Sequence, residues 1–247
     1  MDLKPGDTFD TVAELYDRAR PSYPDELVDA LVAAMPGRRL LEIGCGTGKL
    51  TRQLVERGVD VTCVEPGANL AAIAARSAPV VVERFEDWEP DGSYDAVACA
   101  TAWHWLDHAV ATPKVHGLLR PGGVLAVIGT HHVFPPDADP FFREIQTIYD
   151  SFGEQLVDFP DVDDIRHDDA IGLRESGLFD VDDVGYLRTI DYDATTYVDV
   201  LRTYSGHITM PDEHRTLLYD GVHRLAPPGR TITKHYLFCL HLARPSR

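Results

Sequence analysis

Long apolar runs are missing from this chain: nowhere do about 18 consecutive apolar residues occur, the length a membrane-spanning helix requires. The first residues, Met1-Asp2-Leu3-Lys4-Pro5-Gly6-Asp7, also lack the basic-then-apolar layout of a secretory signal. A soluble, cytoplasmic protein with no membrane partner is the expectation. Cysteine is scarce. Cys45, Cys63, Cys99 and Cys239 stand 18 residues or more apart, so no CxxC pair exists for zinc or redox chemistry. Three of them fall in apolar runs that read as strands, where buried, reduced thiols are expected. Positive charge is short as well: 23 Lys plus Arg face 40 Asp plus Glu, a net charge of -17. That balance excludes a nucleic-acid partner, which demands a basic surface. The deficit is local, because residues 137–200 hold 18 acidic residues, four Arg and no Lys, giving -14 of the -17. Such a stretch is either a solvated acidic face or a surface that attracts cations. No internal repeat and no low-complexity tract is present.

What is present is a chain of 247 residues, 44% hydrophobic, enough to bury a sizeable core in one domain. Two amphipathic helices are predicted first. Phe9, Val12, Leu15, Tyr16 and Ala19 share one helical face, and Leu27, Val28, Leu31, Val32 and Met35 form the next stripe after Pro24. Strands and helices then alternate. The pattern predicts strands at Arg39–Ile43, Asp60–Val64, Pro79–Glu83, Tyr94–Ala100 and Val124–Gly129, with helices at Thr47–Arg57, Asn69–Ser77 and Trp103–Leu119 between them. Repeated strand–helix units with short links mean a mostly parallel sheet covered on both faces. After Thr130 the regularity breaks. A helix carries Phe141, Phe142, Ile145, Ile148, Tyr149 and Phe152, and an Asp- and Gly-rich loop follows it. Further helices are predicted at Ala194–Tyr204 and Pro211–Leu225, with long strands at Val184–Tyr192 and Thr231–Leu242. The organisation expected is one domain: a helical lid over residues 1–37, a core over 38–130, a cap inserted at 131–180, and a C-terminal part, 181–247, that completes the sheet.

The chemistry is carried by Leu41-Glu42-Ile43-Gly44-Cys45-Gly46-Thr47-Gly48, where alternate glycines let backbone turn sharply from strand to helix and approach a ligand. A dinucleotide loop, GxGxxG, needs a third glycine at position 49, which is Lys49. A phosphate-gripping GxxxxGK[ST] loop needs glycine at 43 and Ser or Thr at 50, and the chain has Ile43 and Leu50. What remains is an acidic residue followed by GxGxG. Glu42 would repel a pyrophosphate but suits a ligand with a cationic amino-acid end.

Glu42-Ile43-Gly44-Cys45-Gly46-Thr47-Gly48 resembles motif I of the class I S-adenosylmethionine-dependent methyltransferases. The resemblance implies a Rossmann-like, seven-stranded, mostly parallel sheet and S-adenosylmethionine as methyl donor, with Gly44, Cys45, Gly46 and Gly48 around its methionine half. Glu65-Pro66 ends the next strand, 21 residues after Gly44, where the family and dinucleotide enzymes alike place a carboxylate on ribose hydroxyls. Phe85-Glu86-Asp87-Trp88 is similar to the segment that meets the adenine, and implies contacts from Phe85 and from Glu86 or Asp87, although Phe85 and Trp88 equally fit a core. Thr101-Ala102-Trp103-His104-Trp105 after the fourth strand, with Tyr16-Asp17-Arg18-Ala19-Arg20-Pro21-Ser22-Tyr23-Pro24, narrows the kinship to type-11, trans-aconitate-methyltransferase-like enzymes. In that subgroup the N-terminal helices cover the cofactor, so Tyr16 and Arg20 are candidates for its carboxylate; packing and surface charge are the alternative. The resemblance covers residues 9–130 well and the remainder only loosely.

Methyl transfer needs alignment and exclusion of water more than it needs protein groups, and a base only where the acceptor holds its proton. In an open α/β sheet the ligand lies beyond the carboxyl ends of the strands, which puts Thr101 to Trp105 and Thr130 to Val133 at the site mouth. His104 is the candidate base by position and near-neutral pKa, or else a helix-start histidine that packs beside the cofactor. Trp103 and Trp105 either wall the pocket or pack in the core. One of His131 and His132 is expected to line the acceptor pocket, since neighbours on an extended segment face opposite ways. Tyr204 and His207 are further acceptor candidates. No metal site is expected, because no Asp, Glu, His or Cys cluster has ligand spacing. The absence of Asn-Pro-Pro-Tyr or Asp-Pro-Pro-Tyr after the fourth strand counts against adenine or glutamine N-methylation. A small organic acceptor remains, methylated on oxygen (a carboxylate included), nitrogen or carbon. The alternative is a protein that binds S-adenosylmethionine or S-adenosylhomocysteine without catalysis, as sensor or partner. An NAD-dependent oxidoreductase is disfavoured by Lys49 and Glu42.

Overall fold

The structure is a computed structural model that describes residues 9–153, 162, 168–170 and 172–246. Most of the Asp-rich loop expected before residue 170 lies outside them. Helices α1 (Ala13–Ala19) and α2 (Asp25–Ala34) precede β1 (Arg39–Ile43), α3 (Lys49–Glu56), β2 (Asp60–Val64), α4 (Ala68–Ala74), β3 (Val80–Val81) and β4 (Tyr94–Ala100). Then come α5 (His108–Leu118), β5 (Leu119–Val133), α6 (Phe141–Ser151), β6 (Phe179–Tyr192), α7 (Ala194–Leu201), α8 (Ser205–Ile208), α9 (Asp212–Leu225) and β7 (Ile232–Pro245). The seven strands form one sheet in the order β3-β2-β1-β4-β5-β7-β6. β1 to β5 run parallel, and β7 is antiparallel to both β5 and β6. The alternating pattern anticipates the parallel part of this sheet, and the family resemblance implies its seven-stranded, Rossmann-like form.

A sheet covered on both faces needs strands apolar on both faces, and β4 is buried at every position from Tyr94 to Ala100. Alternation then sorts side chains into two cores. Leu40, Ala96, Ala98 and Val124 face one, with Leu27 and Leu31 of α2 and Leu54 of α3. Leu41, Val97, Cys99, Leu125 and Val127 face the other, with Val115 and Leu118 of α5. All four cysteines are free and buried. No helix among the described residues is long and apolar enough to cross a membrane.

Several boundaries depart from the sequence expectation, among them the start of β6 at Phe179 instead of Val184 and the end of α7 at Leu201 instead of Tyr204. The helix predicted over Trp103–Leu119 is split into a 3₁₀ turn, Trp103–Trp105, and α5, because the Asp107 carboxylate accepts the Ala109 N–H at 3.0 Å and starts the helix afresh. The predicted strand Val124–Gly129 extends at both ends, with a register shift opposite Tyr94 and Ala96 and with β7 pairing as far as Val133. β3 shrinks to Val80–Val81 at the sheet edge. In the stretch expected to form a cap, residues 131–133 belong to β5, and α6 packs Phe141, Phe142, Ile145 and Tyr149 into the main core alongside Tyr197 of α7 and Leu218 and Val222 of α9.

Candidate cofactor and acceptor site

The carboxyl ends of β1, β2, β4 and β5 open into a cavity of about 570 Å³. At its centre the chain leaves β1 through Gly44, whose φ is 64° and whose N–H donates to the Val64 carbonyl at 2.8 Å. A Cβ there would stand 2.7 Å from the Ala102 Cβ, so only glycine lets the loop pass this close to the segment after β4. Ala102 follows Thr101, which holds a left-handed φ of 52° against the preference of a β-branched residue. Its N–H donates to the Ile128 carbonyl at 2.7 Å and its hydroxyl to the Ala100 carbonyl at 2.8 Å, and these contacts hold the conformation.

Glu65 ties two loops together. One carboxylate oxygen accepts the Gly46 N–H at 2.9 Å and the other the Gly67 N–H at 2.8 Å. Burial raises its pKa, and the two N–H groups work against that rise. Glu42 is 1% exposed beneath the glycine loop and accepts the Thr51 hydroxyl at 2.6 Å. Burial pushes its pKa up to about 8, with Glu65 adding to the rise and Thr51 opposing it. Phe85 and Glu86 border the same end. Their loop is stapled by Lys114, whose ammonium donates to the Phe85 carbonyl at 2.7 Å and the Glu86 carbonyl at 3.2 Å. Glu86 accepts the Asp107 N–H at 3.0 Å, and although burial raises its pKa, that bond and Arg84 bring it below the usual value.

The N-terminal segment lies across the cavity. The Asp10 carboxylate accepts the N–H groups of Asn69 and Leu70 at 2.7 and 3.0 Å, at the start of α4. Lys49 donates to the Asp17 carbonyl at 2.7 Å, and Arg52 pairs with the Asp17 carboxylate at 2.7 Å. Arg20 reaches the far end, donating to the Thr203 hydroxyl at 2.8 Å and carbonyl at 3.1 Å, with its guanidinium 4.2 Å over the Tyr204 ring. That far wall is aromatic: Tyr16, Tyr23, Tyr204, Tyr236 and Phe238. Behind it Lys234, 2% exposed, donates to the Tyr204 hydroxyl at 2.8 Å.

Of the residues singled out from sequence, Tyr16, Arg20, Glu42, Gly44, Cys45, Gly46, Glu65, Pro66, Phe85, Glu86, Thr101, Ala102, His104 and Tyr204 all meet in this one cavity. Others sit elsewhere. Gly48 starts α3 just outside the wall. Trp103 is 2% exposed in the core beside His108, while Trp105 takes the wall position against Phe9. His207 is buried, bonded to the Tyr149 hydroxyl at 3.0 Å, and burial lowers its pKa to about 4. Neither His131 nor His132 reaches the cavity wall. His132 packs among Phe134, Phe142 and Tyr236, its pKa driven to about 2 by burial. His131 bonds Asp169 at 2.6 Å, which raises its pKa to about 10. His131, Asp169 and Cys239 bring one possible metal-donor atom each within 4.8 Å of one another. Residue spacing hid that cluster, because its members come from β5, a 3₁₀ turn and β7. Lys234, Tyr236 and Phe238 were hidden for the same reason: they enter through the register of β7 on β5, which no local motif encodes.

Comparison with known proteins bears on the fold and on residues 41–127. A family model described as a methyltransferase domain matches residues 41–127. An uncharacterized methyltransferase of Mycobacterium tuberculosis is 44% identical over 125 residues, covering 49% of this chain and 51% of that protein. Trans-aconitate 2-methyltransferase of Deinococcus radiodurans is 35% identical over 111 residues, 43% of each chain. The chain thus spans about half the length of the curated relatives it matches. The crystal structure of an S-adenosylmethionine-dependent methyltransferase from Thiobacillus denitrificans in complex with S-adenosylhomocysteine superimposes with a TM-score of 0.54 at 14% identity, covering 100% of both chains. Residues 41–127 thus match a methyltransferase domain, and the fold of the whole chain is like that of S-adenosylmethionine-dependent methyltransferases of known structure.

Proposed function

We propose that this chain methylates a small organic molecule on oxygen, nitrogen or carbon, taking the methyl group from S-adenosylmethionine and leaving S-adenosylhomocysteine. The observation that carries this is a single cavity with two unlike ends: backbone N–H groups and carboxylates at Glu65 and Gly46, and aromatic rings with cations at Arg20, Tyr204 and Tyr236. Those residues fit the donor. Glu65 is buried with its carboxylate already ordered by Gly46 and Gly67, so it is placed to take hydroxyl hydrogen bonds at little entropic cost. The glycine loop suits the donor's amino-acid end, and Phe85 with Glu86 suits an aromatic base. The donor supplies an activated methyl group, and the protein's share is to align the acceptor with it and keep water away.

The segment of residues 9–37 is the lid of that cavity. Its contacts with α4 through Asp10, with α3 through Asp17 and with Thr203 through Arg20 span both ends. Closing it buries the donor under Phe9, Tyr16 and Trp105. The decisive experiment is transfer of a labelled methyl group from S-adenosylmethionine into pooled metabolites, with the product identified by mass spectrometry. A labelled small molecule is the expected result. Tight donor binding by calorimetry with no labelled product in any pool would instead establish the non-catalytic binding protein.

A further inference from the structure

Lys234 lies on β7, 2% exposed, in a cage of aromatic rings. Its ammonium stands 4.9 Å from the centre of the Tyr236 ring, 5.1 Å from Tyr204 and 5.6 Å from Tyr197. A buried ammonium needs an anion or a strong acceptor, and an isolated one is costly enough to neutralise itself. Among the described residues no carboxylate lies within ion-pair distance of Lys234 or of Arg20, in a chain that carries 40 acidic residues. What Lys234 has is the Tyr204 hydroxyl at 2.8 Å, and Arg20 covers the ring of the same tyrosine at 4.2 Å. Two cations therefore converge on one phenol, and that phenol borders the cavity.

We propose that Tyr204 is the catalytic base of this site, its phenolate held by Lys234 and Arg20, and that the acceptor is a small molecule methylated on a hydroxyl of phenol or enol type. The proposal rests on the methyltransferase reading above and narrows its acceptor. A carboxylate is already ionised and would need no base, whereas a phenol or enol must lose its proton as it attacks. In the step, the phenolate oxygen of Tyr204 takes the acceptor's hydroxyl proton while the acceptor oxygen bonds to the methyl carbon. The bond from that carbon to sulfur breaks, its electron pair stays on sulfur as a neutral thioether, and Tyr204 is left as a phenol that returns its proton to solvent.

The groups facing Tyr204 favour its ionisation over that of its neighbours. They are Arg20 from the N-terminal segment, Tyr192 of β6, Tyr197 of α7, His207 of α8, and Lys234 and Tyr236 of β7. None is a carboxylate. Burial raises the Tyr204 pKa, but Lys234 and Arg20 outweigh it and bring the group down to about 8. Burial raises Tyr197 and Tyr236 with no such compensation, and the Tyr192 hydroxyl already bonds Tyr236 at 3.1 Å. His104, on the wall after β4, has its pKa lowered by burial and, among the described residues, no bonded partner that would orient it toward the Tyr204 end.

The first test needs no acceptor. Titrating near-ultraviolet tyrosinate absorbance should show one of the 10 tyrosines ionising near pH 8, ahead of the rest. That phase should vanish in Tyr204→Phe and move to higher pH in Lys234→Met and in Arg20→Met. The same early phase in wild type and Tyr204→Phe would overturn the proposal. The second test offers labelled donor with a panel of small phenols and a panel of small carboxylic acids. Phenols are expected to be methylated, with a rate that rises through about pH 8. Tyr204→Phe should lower kcat about a hundredfold or more while donor affinity by calorimetry is unchanged. Methylation of carboxylic acids alone, or activity that survives Tyr204→Phe and is lost in His104→Ala, would overturn it. Failure of the wild-type protein to bind the donor would remove the methyltransferase reading instead, and the tyrosinate titration would still decide whether Tyr204 is the ionised group.

Discussion

The two ends of the cavity are made by different means. The donor end is built of backbone and carboxylates: Gly44, Gly46 and Glu65 lie within 22 residues of one another and are joined by hydrogen bonds to main-chain N–H groups. The proposed acceptor end is built of side chains from distant parts of the chain: β7 brings Lys234 and Tyr236, and the bond from Arg20 to Thr203 brings Arg20 over Tyr204. A backbone-built site tolerates few sequences, because φ angles and N–H positions admit few residues. A site built of side chains can be rewritten without disturbing the sheet that carries it. The stretch matched by the methyltransferase-domain model, residues 41–127, holds Gly44, Gly46 and Glu65, whereas Arg20, Tyr204, Lys234 and Tyr236 all lie outside it.

That contrast is broken most directly at Gly44. Gly44→Val forces a β-branched residue to φ 64° and puts its Cβ 2.7 Å from that of Ala102. The backbone cost of about 1–2 kcal/mol and the overpacking cost of about 1–3 kcal/mol fall together on the loop that meets the donor. The expected result is a loss of S-adenosylmethionine affinity of about a hundredfold or more, read by titration calorimetry. Unchanged affinity would mean that the loop does not form the donor site. Glu65→Ala is the next step down. It removes the carboxylate assigned to the ribose and also unties Gly46 from Gly67, and a hydrogen bond to a charged group contributes about 1.5–3 kcal/mol. Affinity should fall about tenfold or more. If calorimetry finds no change, Glu65 has no ribose role and only organises the loops.

What sequence could reveal follows the same division. Glu42 to Gly48 and Glu65 were legible because a strand, a turn and a helix start are local events with fixed residue requirements. The split of the helix at Asp107 was missed although its signal was present, an Asp placed to cap α5, because the apolar pattern runs on through Trp105 and Leu106. Lys234 read only as a polar position in a long strand, and nothing near it in sequence announces Tyr204, 30 residues earlier. His131 was expected at the acceptor mouth from its place after the fifth strand. Yet β5 continues to Val133, so the ring faces Asp169 beside the sheet and not the cavity. Non-local pairing fixed these positions, and register is set by the whole sheet.

The His131 pair sharpens the comparison from the side of stability. Its partners are less than a third exposed, at 26% and 19% of their side chains. His131 is raised from 6.5 to about 10, so its contribution is complete below about pH 6.5 and is lost as pH rises through about 10. Asp169 is held below its ordinary 3.8 against the opposing effect of burial, so its contribution is present above that value and lost only in stronger acid. Asp169→Asn should therefore cost about 2 kcal/mol in urea unfolding near pH 6, and less as pH approaches 10. Donor affinity should not change, since neither group borders the cavity. An equal loss at both pH values would show that shape rather than charge is at work there.

The smallest expected effect concerns the segment that joins the two ends. Asp17 pairs with Arg52 at 2.7 Å, the two side chains being 29% and 35% exposed, so solvent screens much of the attraction. The Asp17 pKa is lowered by Arg52 despite the opposing effect of burial, so the pair is formed at neutral pH and weakens only in acid. Asp17→Asn removes the charge but keeps an amide oxygen for Arg52 and the main-chain carbonyl that accepts from Lys49, so α1 stays bonded to α3 without the ion pair. At about 0.5–1 kcal/mol for such a pair, lid closure should weaken enough to lower donor affinity about two- to fivefold. The same substitution should leave the tyrosinate titration of Tyr204 in place, because Arg20 is fastened to Thr203 and not to α3. A lid that moves as one piece would instead shift both readouts together, and that result would join the two ends of the cavity into one cooperative unit.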